Sequence, residues 1–195
     1  MMGSEKRSKK MIEKERKLTA FHEAGHAITI MKLENLDPVE EVSIIPRGMA
    51  GGYTMSVPQE DRSYMSRNEM TDELVSLLGG QVAEQIIFGD ISTGASSDIQ
   101  KATELARNMI TKYGMSTKLG PVSYENNAVT LGETLPHSDH TLSIIDEEIN
   151  SLLSMAYRRA ESILTDNSKN LEKLAAYLLE NEKITGEELK KLLAE

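Results

Sequence analysis

The chain has 195 residues, a formal net charge of −9 and no cysteine. A chain of this length can bury a substantial core, the negative charge disfavours nonspecific nucleic-acid binding, and the lack of cysteine excludes disulfides and thiolate metal sites. Tryptophan is absent and phenylalanine occurs only twice, whereas methionine and leucine are common, so the composition favours a mainly α protein over a β sandwich.

The ends of the chain differ in character from its middle. Residues 1–4, Met-Met-Gly-Ser, are interpreted as an expression scar, and residues 5–17 as a linker that runs into the first helix. Residues 18–195 are expected to form the functional domain, with a C-terminal helical part from about residue 139. No segment approaches the roughly 20 apolar residues of a membrane span, so the chain is expected to be soluble. The sequence has no G-x-x-x-x-G-K-[ST] motif, and we therefore expect no ATP hydrolysis.

The first predicted helix, from about Glu13 to Leu33, contains an H-E-x-x-H motif at residues 22–26. Residues four apart leave the same face of a helix, so His22 and His26 can bind one ion. Glu23 lies about 100° round the helix from His22 and reaches the open side of the metal. A carboxylate there can take a proton from water and pass it to a departing amine. The motif therefore predicts a catalytic Zn²⁺ site with Glu23 as the general base.

The segment after this helix is predicted to contain a small β element and a second helix. Short strands are expected at Val42–Ile45 and Gly52–Val57, between turn-forming prolines and glycines. A capping box at Ser66–Glu69 predicts the start of the helix, which ends before Gly89. The Gly79-Gly80 pair lies inside this helix, where each glycine costs about 1 kcal/mol relative to alanine. Close packing or a kink is therefore expected there.

The rest of the chain is predicted to be mostly helical. Helices are expected from Ser97 to just before Gly114, at about Asp139–Leu164, at Leu171–Leu179, and after a cap at Thr185–Glu188. The intervening segment 116–138 is mixed, with a strand expected at Val122–Tyr124 and turns at Asn126-Asn127 and Pro136.

Two histidines do not complete a catalytic zinc site, which usually has a third protein ligand. His137 and His140 are candidates, but their Pro-Ser-Asp surroundings favour surface turns. Glu84 lies in an apolar helix and fits either a ligand or a residue that supports one. Asp98 lies at a helix start, where it would also serve as a cap. Spacing alone leaves the choice between Glu84 and Asp98 open.

Several motifs resemble the peptidase domain of FtsH, a family of membrane-anchored, ATP-dependent zinc proteases. The similarity lies in Leu18–Ala27, Gly79–Gly89, Ser92–Ile99, Ala106–Ser116 and Lys118–Pro121. It continues through the C-terminal helices and covers nearly the whole chain. The resemblance implies that residues 18–195 form a helical zinc metalloprotease domain with a small β element beside the active site.

The resemblance also implies a role for individual residues of the metal centre. His22, His26 and Asp98 match the zinc ligands of the family, and Glu23 matches its catalytic base. Glu84 matches an acid that supports a zinc-bound histidine. Zn²⁺ is therefore the expected cofactor.

A substrate-binding strand is implied in the same way. The edge strand beside the cleft in the family matches Gly52, Tyr53, Thr54 and Met55. Such a strand would pair with the backbone of an extended substrate. The implied activity is hydrolysis of peptide bonds in unfolded or membrane-extracted proteins.

The expected partners follow from the resemblance as well. The family implies a homo-hexamer, and an ATPase module and membrane spans that are missing from this sequence. It places the full-length protein in the bacterial inner membrane, with this domain on the cytoplasmic side, or in an organelle membrane. Two alternatives remain open: a self-sufficient soluble peptidase, and a catalytically silent zinc domain that serves in assembly. The intact Glu23 argues against the second, because a structural zinc site has no use for a base.

Overall fold

The computed structural model describes residues 13–46, 51–58, 63–124 and 137–194. Its helices are α1 (Glu13–Met31), α2 (Arg67–Phe88), α3 (Ser96–Thr111), α4 (Asp139–Asp166), α5 (Ser168–Asn181) and α6 (Gly186–Ala194). A single turn of 3₁₀ helix, Thr93–Ala95, precedes α3. The strands are β1 (Val39–Ser43), β2 (Tyr53–Ser56) and β3 (Lys183–Thr185). The prediction of a mainly α fold with a small β element is confirmed.

Helix α1 is the centre of the fold. It packs against α2, α5 and the sheet, and α2 in turn packs against α3 and α4. The buried face of α1 includes Ala20, Ala24 and Ile28, which are fully inaccessible to solvent. Small residues on this face let neighbouring helices approach closely, so α1 is enclosed on most sides.

Glycines bring α1 and α2 into direct backbone contact. A Cβ atom added to Gly25 would lie 2.5 Å from the carbonyl oxygen of Gly79. A Cβ added to Gly79 would lie 2.6 Å from the Thr29 hydroxyl. Neither position has room for a side chain, so the close packing expected at the Gly79-Gly80 pair is confirmed.

The three strands form one antiparallel sheet in the order β2-β1-β3. Val42 of β1 is the register partner of both Thr54 of β2 and Ile184 of β3. Among the described residues, β2 has a strand neighbour on one side only. The sheet thus places an edge strand next to α1.

Two predictions about strands were wrong or incomplete. Val122–Tyr124 is not a strand, because the Tyr124 amide donates to the carbonyl of Thr111 at the end of α3 and not to another strand. β1 begins at Val39, three residues before the predicted start, with an irregular register between Val39 and Glu41. β3 was not predicted. The turns at Asn126-Asn127 and Pro136, and residues 1–12 of the leader, lie outside the described residues.

No helix in the described part of the chain combines the length and apolar character that crossing a membrane requires.

Candidate metal centre

The side chains of His22, His26 and Asp98 meet between α1 and the start of α3. Each offers one ligand atom, and these atoms lie within 4.8 Å of one another. The Nε2 atoms of the two histidines are 3.1 Å apart. The Oδ2 atom of Asp98 lies 3.3 Å from Nε2 of His22 and 3.4 Å from Nε2 of His26.

These separations fit a zinc ion. Tetrahedral ligands about 2.0–2.1 Å from zinc lie about 3.3–3.4 Å from one another, close to the three observed distances. The donor set of two imidazoles and one carboxylate leaves a fourth position open, as in catalytic zinc sites. The residues present can therefore hold Zn²⁺.

Each histidine is oriented by a hydrogen bond at its other ring nitrogen. Nδ1 of His26 donates to the backbone carbonyl of Ser76 over 2.8 Å, since a carbonyl can only accept. Nδ1 of His22 lies 2.7 Å from Oε1 of Glu84, a fully buried carboxylate. With Nδ1 of each ring held in this way, the Nε2 atoms of both rings face the centre.

Glu84 is itself held in place. Its second oxygen, Oε2, accepts a hydrogen bond of 2.7 Å from the backbone amide of Ser92, in the loop after α2. Burial alone would raise the pKa of Glu84, but the hydrogen bonds from His22 and Ser92 hold it below its usual range. The carboxylate thus stays ionised and acts as an acceptor for the His22 ring.

The charges of the centre favour a cation. Burial alone would lower the pKa of His22, but hydrogen bonds to Asp98 and Glu84 raise it to about 9. Burial likewise opposes ionisation of Asp98, yet its hydrogen bonds to His22 and His26 lower its pKa. The centre therefore stabilises positive charge between its three ligand atoms.

Glu23 lies beside the ligands, on the side facing β2. Its Oε2 atom accepts a hydrogen bond of 2.9 Å from the hydroxyl of Thr54. A Cβ atom at Gly52 would lie 2.9 Å from Cγ of Glu23, so the glycine leaves room for this side chain. Burial raises the pKa of Glu23, and the charges of His26 and His22 oppose that effect. The predicted base and the predicted substrate strand are thus in direct contact.

An open cavity of about 1230 Å³ surrounds the centre. Its walls include Gly52, Tyr53 and Thr54 of the predicted substrate strand. Met55 is not among the lining residues, and its side chain is 42% exposed. Three of the four predicted strand residues therefore face the cavity that contains the proposed ligands.

The two other histidine candidates lie elsewhere. Nε2 of His137 is 3.3 Å from the carbonyl oxygen of Tyr124, and the two rings stack edge to face. His140 is exposed in the first turn of α4. Neither belongs to the cluster of potential ligands.

Several contacts of the centre were not predicted. The carbonyl of Ser76 and the amide of Ser92 carry no sequence signal, because every residue but proline has both groups. Gly80 was predicted only as a packing position, yet a Cβ atom there would lie 2.5 Å from Nε2 of His22 and 2.6 Å from Nε2 of His26. Lys101, whose Nζ atom lies 3.5 Å from Oδ1 of Asp98, was not singled out either, although its i+3 spacing could have indicated it.

Comparison with known proteins gives consistent matches over the whole chain. The profile described as Peptidase family M41 matches residues 9–192. A protein of Caldicellulosiruptor bescii named ATP-dependent zinc metalloprotease FtsH is 53% identical over 201 residues, covering 100% of this chain and 33% of that protein. Proteins of the same name from Ruminiclostridium cellulolyticum (48% identical; 98% of this chain and 32% of that protein) and Thermotoga maritima (43% identical; 99% and 33%) also match. The chain spans about a third of the length of these relatives.

Proposed function

Because the chain belongs to peptidase family M41, we propose that it is a zinc-dependent endopeptidase domain, the proteolytic part of an FtsH-like ATP-dependent protease. The observation that carries the proposal is the meeting of His22, His26 and Asp98 beside Glu23. A structural zinc site is closed by four protein ligands. Here three ligands and a neighbouring carboxylate line an open cavity, which favours catalysis.

In this proposal each side chain of the centre has a separate task. Zinc, when bound, polarises the scissile carbonyl and lowers the pKa of water. Glu23 takes the proton from the attacking water and delivers it to the departing amine. The Thr54 hydroxyl holds one oxygen of Glu23 by a hydrogen bond of 2.9 Å, which leaves the other oxygen for proton transfer. Glu84 keeps the His22 ring in its ligand orientation.

The proposed substrate is an unfolded polypeptide in extended conformation. β2 lines the cavity and has a strand neighbour on one side only within the described residues. An extended peptide can add to such an edge through backbone hydrogen bonds, which every sequence can make. The side chains of the cavity would then supply any preference for sequence.

The rest of the assembly is proposed from the relatives. Their printed name, ATP-dependent zinc metalloprotease FtsH, and their threefold greater length support an ATPase module in the full-length protein. We further propose membrane anchoring of that protein, in a bacterial inner membrane or an organelle membrane, and a homo-hexamer. Sedimentation analysis of this chain that gave only a monomer of 21.6 kDa at high concentration would contradict self-assembly of this domain.

The test of the activity is the variant Glu23→Gln. We expect it to retain zinc, because the ligands are unchanged, and to lose cleavage of casein by about 100-fold or more, because proton transfer to and from water is lost. Bound zinc is measured by elemental analysis and cleavage by release of labelled fragments.

The matched control is Glu172→Gln, which removes the same charge from an exposed position of α5. It should bind zinc and cleave casein like the unaltered chain. Casein cleavage by Glu23→Gln at the unaltered rate would exclude Glu23 as the base. Zinc-loaded chain that cleaves neither casein nor peptides would contradict the proposed function and favour a silent zinc domain.

A further inference from the structure

The cavity at the metal centre is lined by different kinds of residue toward the two ends of α1. Toward the N-terminus of α1 it is bounded by Leu18 and Thr19, and by small uncharged residues of segment 93–97. The part toward the C-terminal end of α1 is here called the distal arm. The distal arm is the part lined by Ile30, Leu36, Asp37, Glu73 and Leu77, and the cavity lining also includes Glu69 and Lys101. Among the described residues of the cavity wall, the distal arm therefore combines carboxylates with apolar side chains.

Glu73 is a half-buried carboxylate that the proposed mechanism does not use. No ion pair or hydrogen bond joins its carboxylate to another side chain in the part of the chain that the structure describes. The charged groups that act on it are Lys101, which favours its ionised form, and Asp37, which opposes it. Lys101 is itself next to Oδ1 of Asp98. Glu73 therefore has no ion-pair partner of its own among the described residues.

The surroundings of Glu73 decide what this arm can accept. Burial raises the pKa of Glu73, which means that removing water from the carboxylate is unfavourable. A purely apolar substrate side chain would displace still more water and provide no hydrogen bond in return. A long cationic side chain can lay its methylene groups against Ile30, Leu36 and Leu77 while its charged end reaches the carboxylates.

We propose that Glu73 is a specificity-determining residue that selects a lysine or arginine side chain of the substrate in the distal arm. This inference rests on the proposed endopeptidase function and names part of its substrate class. A glutamate at the same substrate position is disfavoured, since it would place like charges together in a partly dehydrated arm. The described residues at the other end of the cavity, Leu18, Thr19 and those of segment 93–97, are uncharged, so the preference applies to one side of the scissile bond.

The test uses a set of quenched fluorescent peptides that share one parent sequence. Each peptide carries norleucine, lysine or glutamate at a single position flanking the scissile bond, and kcat/KM is measured with the zinc-loaded chain. At one position the lysine peptide should exceed the norleucine peptide by roughly tenfold, as expected for one charge-assisted hydrogen bond. The glutamate peptide should be the slowest of the three.

Variants then assign the preference to its residue. In Glu73→Gln the lysine-to-norleucine ratio should fall to about one at that position, and Glu73→Asp should restore part of it. Glu172→Gln changes the net charge equally but lies outside the cavity, so its ratio should stay at the unaltered value. An unchanged ratio in Glu73→Gln, or an equal fall in Glu172→Gln, would overturn the inference.

Failure of the proposed function and failure of the inferred preference give different results in this experiment. Absence of zinc-dependent cleavage of the norleucine peptide by the unaltered chain contradicts the proposed function, and the inference with it. Cleavage of all three peptides at equal rates at every position contradicts the inference alone.

Discussion

Two hydrogen bonds determine which nitrogen of each histidine can bind a metal. The Ser76 carbonyl accepts a hydrogen bond from Nδ1 of His26, and the Glu84 carboxylate accepts one from Nδ1 of His22. Nε2 is therefore the atom of each ring that can bind a metal. A ring that could rotate or change tautomer would spend time in orientations that do not bind zinc. We therefore expect the residues behind the proposed ligands to contribute to metal affinity without touching the metal.

The assignment of Asp98 as the third ligand can be tested by removing it. Asp98→Ala should weaken zinc binding by more than about 100-fold, the upper end of what loss of a supporting residue costs, because only two protein ligands remain. Competition with a chromogenic chelator gives the Kd.

His140→Ala serves as the comparison, since His140 is exposed in α4 and remote from the cluster. It should bind zinc like the unaltered chain. Equal loss of affinity in both variants, or retained affinity in Asp98→Ala, would exclude the assignment.

At the level of residues, the sequence predicts those features of the site that depend on residues close together in the chain. His22, Glu23 and His26 follow from helical spacing alone, because four residues make about one turn. The contact of Thr54 with Glu23 joins residues 31 apart in the chain, and no local pattern predicts it. Glu84 and Asp98 could not be separated by spacing, because their contacts with His22 span 62 and 76 residues.

Between elements, Gly80 sets how closely α2 approaches the face of α1 that carries both histidines. A Cβ atom at Gly80 would meet ring atoms of His22 and His26 at 2.5–2.6 Å, far inside ordinary contact distance. These rings cannot easily move aside, since Glu84 and Ser76 hold their other nitrogens. The packing of α2 against α1 therefore tolerates only glycine at position 80.

We expect Gly80→Ala to fold less stably and to lose zinc affinity by at least about tenfold, similar to loss of a supporting residue. Its unfolding is measured by circular dichroism and its zinc affinity by chelator competition.

The comparison variant is Gly89→Ala, at the end of α2, where φ is +65° and no other atom lies within 4 Å of the added Cβ. It should cost about 1 kcal/mol through its left-handed backbone and leave zinc affinity unchanged. Unaltered zinc binding by Gly80→Ala would contradict the role of this glycine.

Elements with strong end signals were predicted well. Ser66 and Glu69 form the expected capping box at the start of α2, and Thr185 and Glu188 bond reciprocally at the start of α6. β3 was missed because three residues between two helices show no alternation that a pattern can detect. Its pairing with β1 depends on residues 140 or more positions away.

At the scale of the whole molecule, we expect this chain to cleave unfolded proteins without unfolding native proteins itself. The sequence has no P-loop, and the proposed substrate groove beside β2 suits an extended chain. A native domain is stabilised by about 5–15 kcal/mol, so only a minute fraction is open at any time. We expect this chain to cleave a permanently unfolded variant of a stable protein at least about 100-fold faster than the native form.

Addition of ATP provides the control in the same assay, and it should change neither rate. Equal cleavage of native and unfolded forms would contradict the requirement for an extended substrate. Stimulation of native-protein cleavage by ATP would contradict the absence of a motor in this chain.

The position of β3 in the chain affects when the three-stranded sheet can be completed during synthesis. It completes the sheet whose edge strand contacts Glu23, and Arg16 of α1 bonds the carbonyl of Leu179 just before it. The ribosome makes His22, His26 and Asp98 before β3, which follows several seconds later at about 5–20 residues per second. Two strands alone are marginally stable, so the groove is incomplete during that interval. We therefore expect the sheet beside Glu23 to be completed only after β3 has emerged, later than the residues of the proposed metal centre.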